Sequence, residues 1–171
     1  MSTYALTRRA AITALGAITV VPSLAVRRAF AQGRVRFRNI VVDVSPLRAS
    51  AGDPTAAWVQ QELPGALAQA LAGHIAPGDR SGATLVARID YIYLGPNSGG
   101  AGAWGSTQDT INGVLLVRGP RGGLAADTPL RAITSYYPNP FDQPLRVESN
   151  HTRVSLLAQA FASWVPRELG L

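Results

Sequence analysis

Apolar and polar positions alternate with two different periods along this chain, and the switches between them predict its elements. From Arg34 to Val44, Arg residues alternate with Val35 and Phe37 before a β-branched run, Ile40-Val41-Val42-Asp43-Val44. This predicts a strand that starts exposed and ends buried, stopped by Pro46 and the Ala-Ser-Ala-Gly stretch. The period then becomes helical. Val59, Leu63, Leu67, Ala70, Leu71 and Ile75 form one stripe, with Asp53-Pro54 as N-cap and first helical residue and Pro77-Gly78 as the end. Pro64-Gly65 should kink or break this helix.

Ala83 to Leu94 returns to period two, with Leu85, Ala87, Ile89, Tyr91 and Tyr93 on one face and Val86, Arg88, Asp90, Ile92 and Leu94 on the other. A Gly-rich loop from Gly95 to Thr107 precedes a strand from Thr110 to Arg118. The turn Gly119 to Gly123 leads to a last strand, Leu130 to Tyr137, closed by Pro138-Asn139-Pro140. A terminal helix from about Glu148 to Glu168 carries Val154, Leu157, Ala158, Phe161, Trp164 and Val165 as its stripe. The order is β-α-β-β-β-α. It predicts an α+β two-layer sandwich, with a four-stranded, mostly antiparallel sheet and two helices on one face.

Residues 1–31 do not fit this plan. An apolar, Ala-rich run from Ala10 to Val26 follows Arg8-Arg9, and it ends at Arg27-Arg28 followed by Ala29-Phe30-Ala31. At about 17 residues the run is short for a membrane span. A basic start, an apolar middle and a small-x-small end are the three parts of an export signal. The expected organisation is a signal over 1–31, cleaved after Ala31 with Ala29 and Ala31 as the small pair, and one domain over 32–171. Thr7-Arg8-Arg9-x-x-Ile12 resembles a twin-arginine signal. The resemblance implies export by the twin-arginine translocase and a periplasmic location. Once cleaved, the protein is not expected to be a stable transmembrane protein.

This leader changes the meaning of the charge. The formal net charge of +6 comes from 16 basic residues, all Arg, and 10 acids. Four Arg fall within 1–31 and every acid lies beyond, which leaves twelve against ten, or +2. So weak a surplus offers little to a phosphate backbone, and no nucleic-acid partner is expected. The absence of Cys and Lys excludes thiolate metal sites, disulfides, cysteine nucleophiles, Schiff-base lysines and acylation at a Cys.

Gly100 to Gly105 spells G-x-G-x-x-G, but that fingerprint must open a helix, and the residues after it are strand-like. His74 and His151 lack a second His at metal-ligand spacing, and no G-x-S-x-G elbow occurs. No metal or cofactor is expected. Arg88 and Asp90 are expected on a solvated sheet face, with Asn112, Arg118 or Arg131 as cross-strand partners. Ser135 to Pro144 packs three aromatics and three prolines into ten residues. Tyr136, Tyr137 and Phe141, with Trp104 in the Gly-rich loop, are the candidate partner contacts, because stiff aromatics bury much surface at small entropic cost.

The element order and the segment Leu130 to Leu169, a strand, the turn Tyr137-Pro138-Asn139 and a long terminal helix, resemble the periplasmic lipopolysaccharide-assembly lipoproteins. With no lipobox Cys, their acylated anchor is not implied here. The resemblance implies a non-enzymatic envelope-assembly or binding protein, whose partner is an envelope protein or a lipid-like ligand. The alternative from the sequence is a small periplasmic hydrolase or cofactor-dependent enzyme exported folded.

Overall fold

The computed structural model describes residues 35–96, 107–136 and 146–171. Arg8, Arg9, Ala29 and Ala31, the expected signal residues, lie outside these residues. The elements are β1 (Phe37–Asp43), α1 (Ser45–Ala51), α2 (Thr55–Ala70), a 3-10 turn (Ala72–His74), β2 (Ala83–Tyr93), β3 (Thr107–Arg118), β4 (Leu124–Tyr136) and α3 (Arg146–Glu168). The sheet order is β1-β2-β3-β4. β1 runs parallel to β2 through the α1–α2 crossover, and the other pairs are antiparallel. This is the expected α+β architecture. No helix among the described residues is long and apolar enough to cross a membrane.

The core lies between the helices and one sheet face. Val59, Leu63 and Leu67 of α2 and Val154, Leu157, Ala158, Phe161 and Val165 of α3 meet Leu85, Ala87, Ile89, Ile111 and Leu115 of the sheet. Burying each of the larger side chains contributes about 1.5–3 kcal/mol.

Several expectations are corrected. β1 stops at Asp43, ahead of Pro46, but a helix follows where none was expected: Pro46 sits in the first turn of α1, where a missing N–H costs nothing. That adds a short third helix, whose Leu47 reaches the core. Asp53 is not a side-chain cap for α2, because its carboxylate faces Arg48 Nε at 3.3 Å. α2 runs unbroken through Pro64-Gly65, both of which are exposed, so water can satisfy the carbonyl that Pro64 leaves unbonded. β1 is already buried at Phe37, Val41 is half open in mid-strand, and Val44 just past its end is buried; it is an edge strand with a register shift between Phe37 and Asn39.

The two-face assignment of β2 holds only to Ile89. A shift between Ile89 and Tyr91 makes Asp90 the extra residue of a bulge, so Ile92 turns into the core and Tyr91 and Tyr93 turn out. β3 starts three residues before its expected beginning, and β4 starts six before. β4 includes Pro129, which an edge strand tolerates. Trp164 leaves the predicted stripe and is exposed, with the Arg167 guanidinium 5.1 Å from its ring centroid. The buried line continues from Phe161 to Val165 and Leu169 instead.

Candidate functional site

Strand directions gather one end of the molecule. β1 and β2 finish there, β3 begins there, and β4 finishes there at Tyr136. α2 and α3 run side by side from that end, since Trp58 and Glu62 of α2 meet His151 and Ser155 of α3. The residues that flank 97–106 and 137–145 therefore share this end. Trp104, Tyr137 and Phe141 lie outside the described residues, and Tyr136 is the last residue of β4.

Beneath this end is a buried polar node. Arg153 of α3 donates through Nε to Asp109 Oδ2 at 2.8 Å, and its Nη2 pairs with Asp109 Oδ1. Nη2 also donates to the Gly95 carbonyl at 2.7 Å, and Nη1 to Asn150 Oδ1 at 3.3 Å. The Gly95 amide donates to Asp109 Oδ1 at 3.0 Å. Both ionic side chains are almost completely buried. Charge-assisted, two-point bonding of this kind offsets the desolvation of both groups. Chemically the node fastens α3 to the end of β2 and the start of β3. Thr134 stands opposite Asp109 in the ladder, and its buried Oγ1 has no hydrogen-bond partner among the described residues.

Asp109 and Arg153 were missed in the sequence, although one signal was present. Arg153 lies four residues before Leu157 and eight before Phe161, in phase with the buried stripe of its helix. A charged residue on a buried stripe requires a buried partner.

A second cluster joins α2 to α3. Ser155 Oγ donates to Glu62 Oε2 at 3.2 Å, while His151 Nε2 lies 3.2 Å from Glu62 Oε1. The latter is an ion-pair distance without hydrogen-bond alignment. The Trp58 ring lies 5.5 Å from that of His151. Ser, His and Glu thus meet, yet the carboxylate stands between the other two. The serine proton points at Glu62 and not at the imidazole, which is the wrong order for a nucleophile–base relay. His74 faces the Val35 carbonyl through Nδ1 at 3.2 Å, tying the 3-10 turn to the chain before β1.

Arg88 and Asp90 pair with each other, Nε to Oδ1 at 2.9 Å, and not with Asn112, Arg118 or Arg131. The hydrogen bond from Arg88 and the charge of Asp90 raise the Arg88 pKa, with a smaller contribution from Asp43. The Ser45 hydroxyl and amide hold the Asp43 carboxyl below its ordinary range. Ser81 does the same for Asp79. No group of three or more His, Asp or Glu among the described residues could hold a metal ion. The described chain downstream of the G-x-G-x-x-G pattern is strand β3 from Thr107, not a helix.

No family model and no curated protein matches the chain. Solved structures do. A Caulobacter crescentus CB15 protein provisionally assigned as a lipoprotein matches with a TM-score of 0.51 at 11% identity, over 85% of this chain and 92% of that one. A minor lipoprotein of Acinetobacter baumannii matches at 0.47 and 11%, over 79% and 92%. Rare lipoprotein B of Shewanella oneidensis matches at 0.41 and 10%, over 77% and 93%. The first of these shows a shared fold.

Proposed function

We propose that this chain is exported to the periplasm by the twin-arginine route and serves there as a non-enzymatic binding or assembly protein of the cell envelope. The observation that carries the binding reading is the asymmetry of the sheet. One face is sealed by three helices. The other holds five of the seven large hydrophobic side chains that are exposed among the described residues, Val41, Tyr91, Tyr93, Leu124 and Ile133. Large apolar side chains gathered on one exposed face are candidates for a site of interaction. The leader pattern around Arg8, Arg9, Ala29 and Ala31 supports export, and the fold shared with a protein provisionally assigned as a lipoprotein supports the envelope.

Trp104, Tyr136, Tyr137 and Phe141 are proposed contacts, and the partner is an envelope protein or a lipid-like ligand. Cross-linking in intact cells tests this. Exported protein should yield discrete adducts, which Tyr136→Ser, Tyr137→Ser and Phe141→Ser together should weaken. Unchanged adducts would remove the loop aromatics from the reading, and no adduct at any position would remove binding itself.

A further inference from the structure

A surplus of +2 would count for little if it were spread over the molecule, but it is gathered at one end. β1, β2 and β4 begin and β3 finishes at the end opposite Tyr93 and Ile133. Arg36 leads into β1 there, its carbonyl accepting from the Ala83 amide at 2.9 Å, and Arg38 follows within the strand. Arg80 lies in the turn before β2, Arg118 closes β3 opposite Thr84 and Leu124, and Arg121 lies in the turn to β4. Asp79 is the acid beside them. Of the twelve Arg and ten acids beyond residue 31, five Arg and one acid stand here, so this end carries +4 and the remainder −2. The next acid, Asp127, is two ladder positions farther along β4. α3 finishes with Arg167 and Glu168, which cancel.

These cations are uncommitted. None of the five makes an ion pair with any described residue, and Arg38 donates only to Thr84 Oγ1, at 3.4 Å. The Asp79 carboxylate is taken up by the Ser81 hydroxyl at 2.6 Å and amide at 2.9 Å, with Arg36 acting on it only as a nearby charge. The eleven residues of β2 separate the two ends of the sheet by about 36 Å. That is several times the screening length of about 8 Å in physiological salt, so acids at the loop end do not offset the field here. Leu124 stands in the same row as Arg118 and, at 58%, is the most exposed large hydrophobic residue among those described.

From this arrangement we propose that the end holding Arg36, Arg38, Arg80, Arg118 and Arg121 rests on an anionic phospholipid surface, with Leu124 entering the acyl boundary. Charge complementarity selects the sign, and guanidinium groups bond phosphate oxygens two at a time. The cations are dealt out over four strand ends, an edge about 14 Å wide, which suits a plane of headgroups better than one small anion. An exposed aliphatic side chain among cations suits the boundary of a bilayer, whereas nucleic-acid bases stack on aromatics. The chain has no Cys to acylate, and this contact would give it a reversible hold on the membrane instead. β1 begins at this end, so the expected leader also joins the domain here.

The test measures partition of the full chain onto phosphatidylcholine vesicles with and without phosphatidylglycerol; the leader is common to every variant. Binding should rise with phosphatidylglycerol and fall with salt. Arg118→Glu with Arg121→Glu should lower it about thirtyfold or more, since each Arg over an anionic surface is worth about a factor of five. Leu124→Ser should lower it about threefold or more. The charge-matched pair Arg48→Glu with Arg131→Glu, away from this end, should change it little, with circular dichroism unchanged throughout. A photo-reactive residue at position 124 should give lipid adducts in cells. Equal partition with and without phosphatidylglycerol, or equal loss in both charge-reversed pairs, would overturn the proposal. Release by millimolar inorganic phosphate would make the ligand a free anion, and a protein adduct at position 124 would make it a protein; either overturns the bilayer. All these failures leave the loop-end contacts proposed above standing, because those are tested at the other end of the sheet.

Discussion

Arg153 Nε lies 2.8 Å from Asp109 Oδ2, and the two side chains meet almost wholly withdrawn from solvent. A pair this deeply buried is strongly asymmetric in its energetics. Removing one partner leaves an uncompensated charge, whereas removing both removes the need for either.

Arg153→Met is therefore expected to destabilise the domain by about 3–5 kcal/mol, and Asp109→Leu by a similar amount. The double variant should recover most of that loss. Urea unfolding of the four proteins measures the coupling directly. Additive losses would show that the pair does not act as a unit.

Gly113 and Gly65 should respond to Ala in opposite ways. A Cβ at Gly113 would overlap the Arg88 carbonyl oxygen, at the bulge where β2 and β3 approach closely. Backbone cannot yield there without breaking the register, so Gly113→Ala should cost about 1–3 kcal/mol or more. A Cβ at Gly65 meets nothing within 4 Å, and the residue lies inside α2. Gly65→Ala should stabilise by about 0.5–1 kcal/mol. Thermal melts of the two variants check both signs.

Phe161 and Trp164 separate packing from surface contact on a single helix. Phe161 is fully buried, and Phe161→Ala should cost about 3–5 kcal/mol. Trp164 is exposed with Arg167 over its ring, and Trp164→Ala should cost about 1 kcal/mol or less. Equal losses in chemical denaturation would place Trp164 in the core.

Asp43 gives the pH dependence. Its folded pKa is lowered from the ordinary 3.8 by Ser45, so it binds a proton less readily folded than unfolded. Its stabilising contribution is complete above about 3.8 and is lost as pH falls below that value through the folded pKa. Asp43→Asn should lower stability at neutral pH and reduce the slope of stability against pH in the acid range. A slope unchanged between wild type and variant, measured by urea unfolding at several acid pH values, would contradict this.

Which parts of the molecule were legible follows from what periodicity encodes. The stripe of Val59, Leu63 and Leu67 and the stripe of Val154, Leu157, Ala158 and Phe161 each report one buried helix face, and both helices were located from them. Alternation located β1, β2 and β3. It could not register the extra residue at Asp90, because a bulge is defined by the partner strand, and β3 is distant in sequence. Proline misled at Pro64, which removes a donor on an exposed helix side where water can satisfy the freed carbonyl, and exposure is a tertiary property. The pairing of Asp109 with Arg153 spans 44 residues, beyond the reach of local pattern. Arg153's place on a buried stripe announced that a partner existed but not which one.

Export of the folded domain is the claim on which the envelope function depends, and the N-terminus of the protein recovered from fractionated cells tests it most directly. Sequencing should find a chain beginning at Gln32 in the periplasmic fraction, and Arg8→Lys with Arg9→Lys should leave the uncleaved chain in the cytoplasm. Protein beginning at residue 1 and confined to the cytoplasm in the wild type would contradict the account.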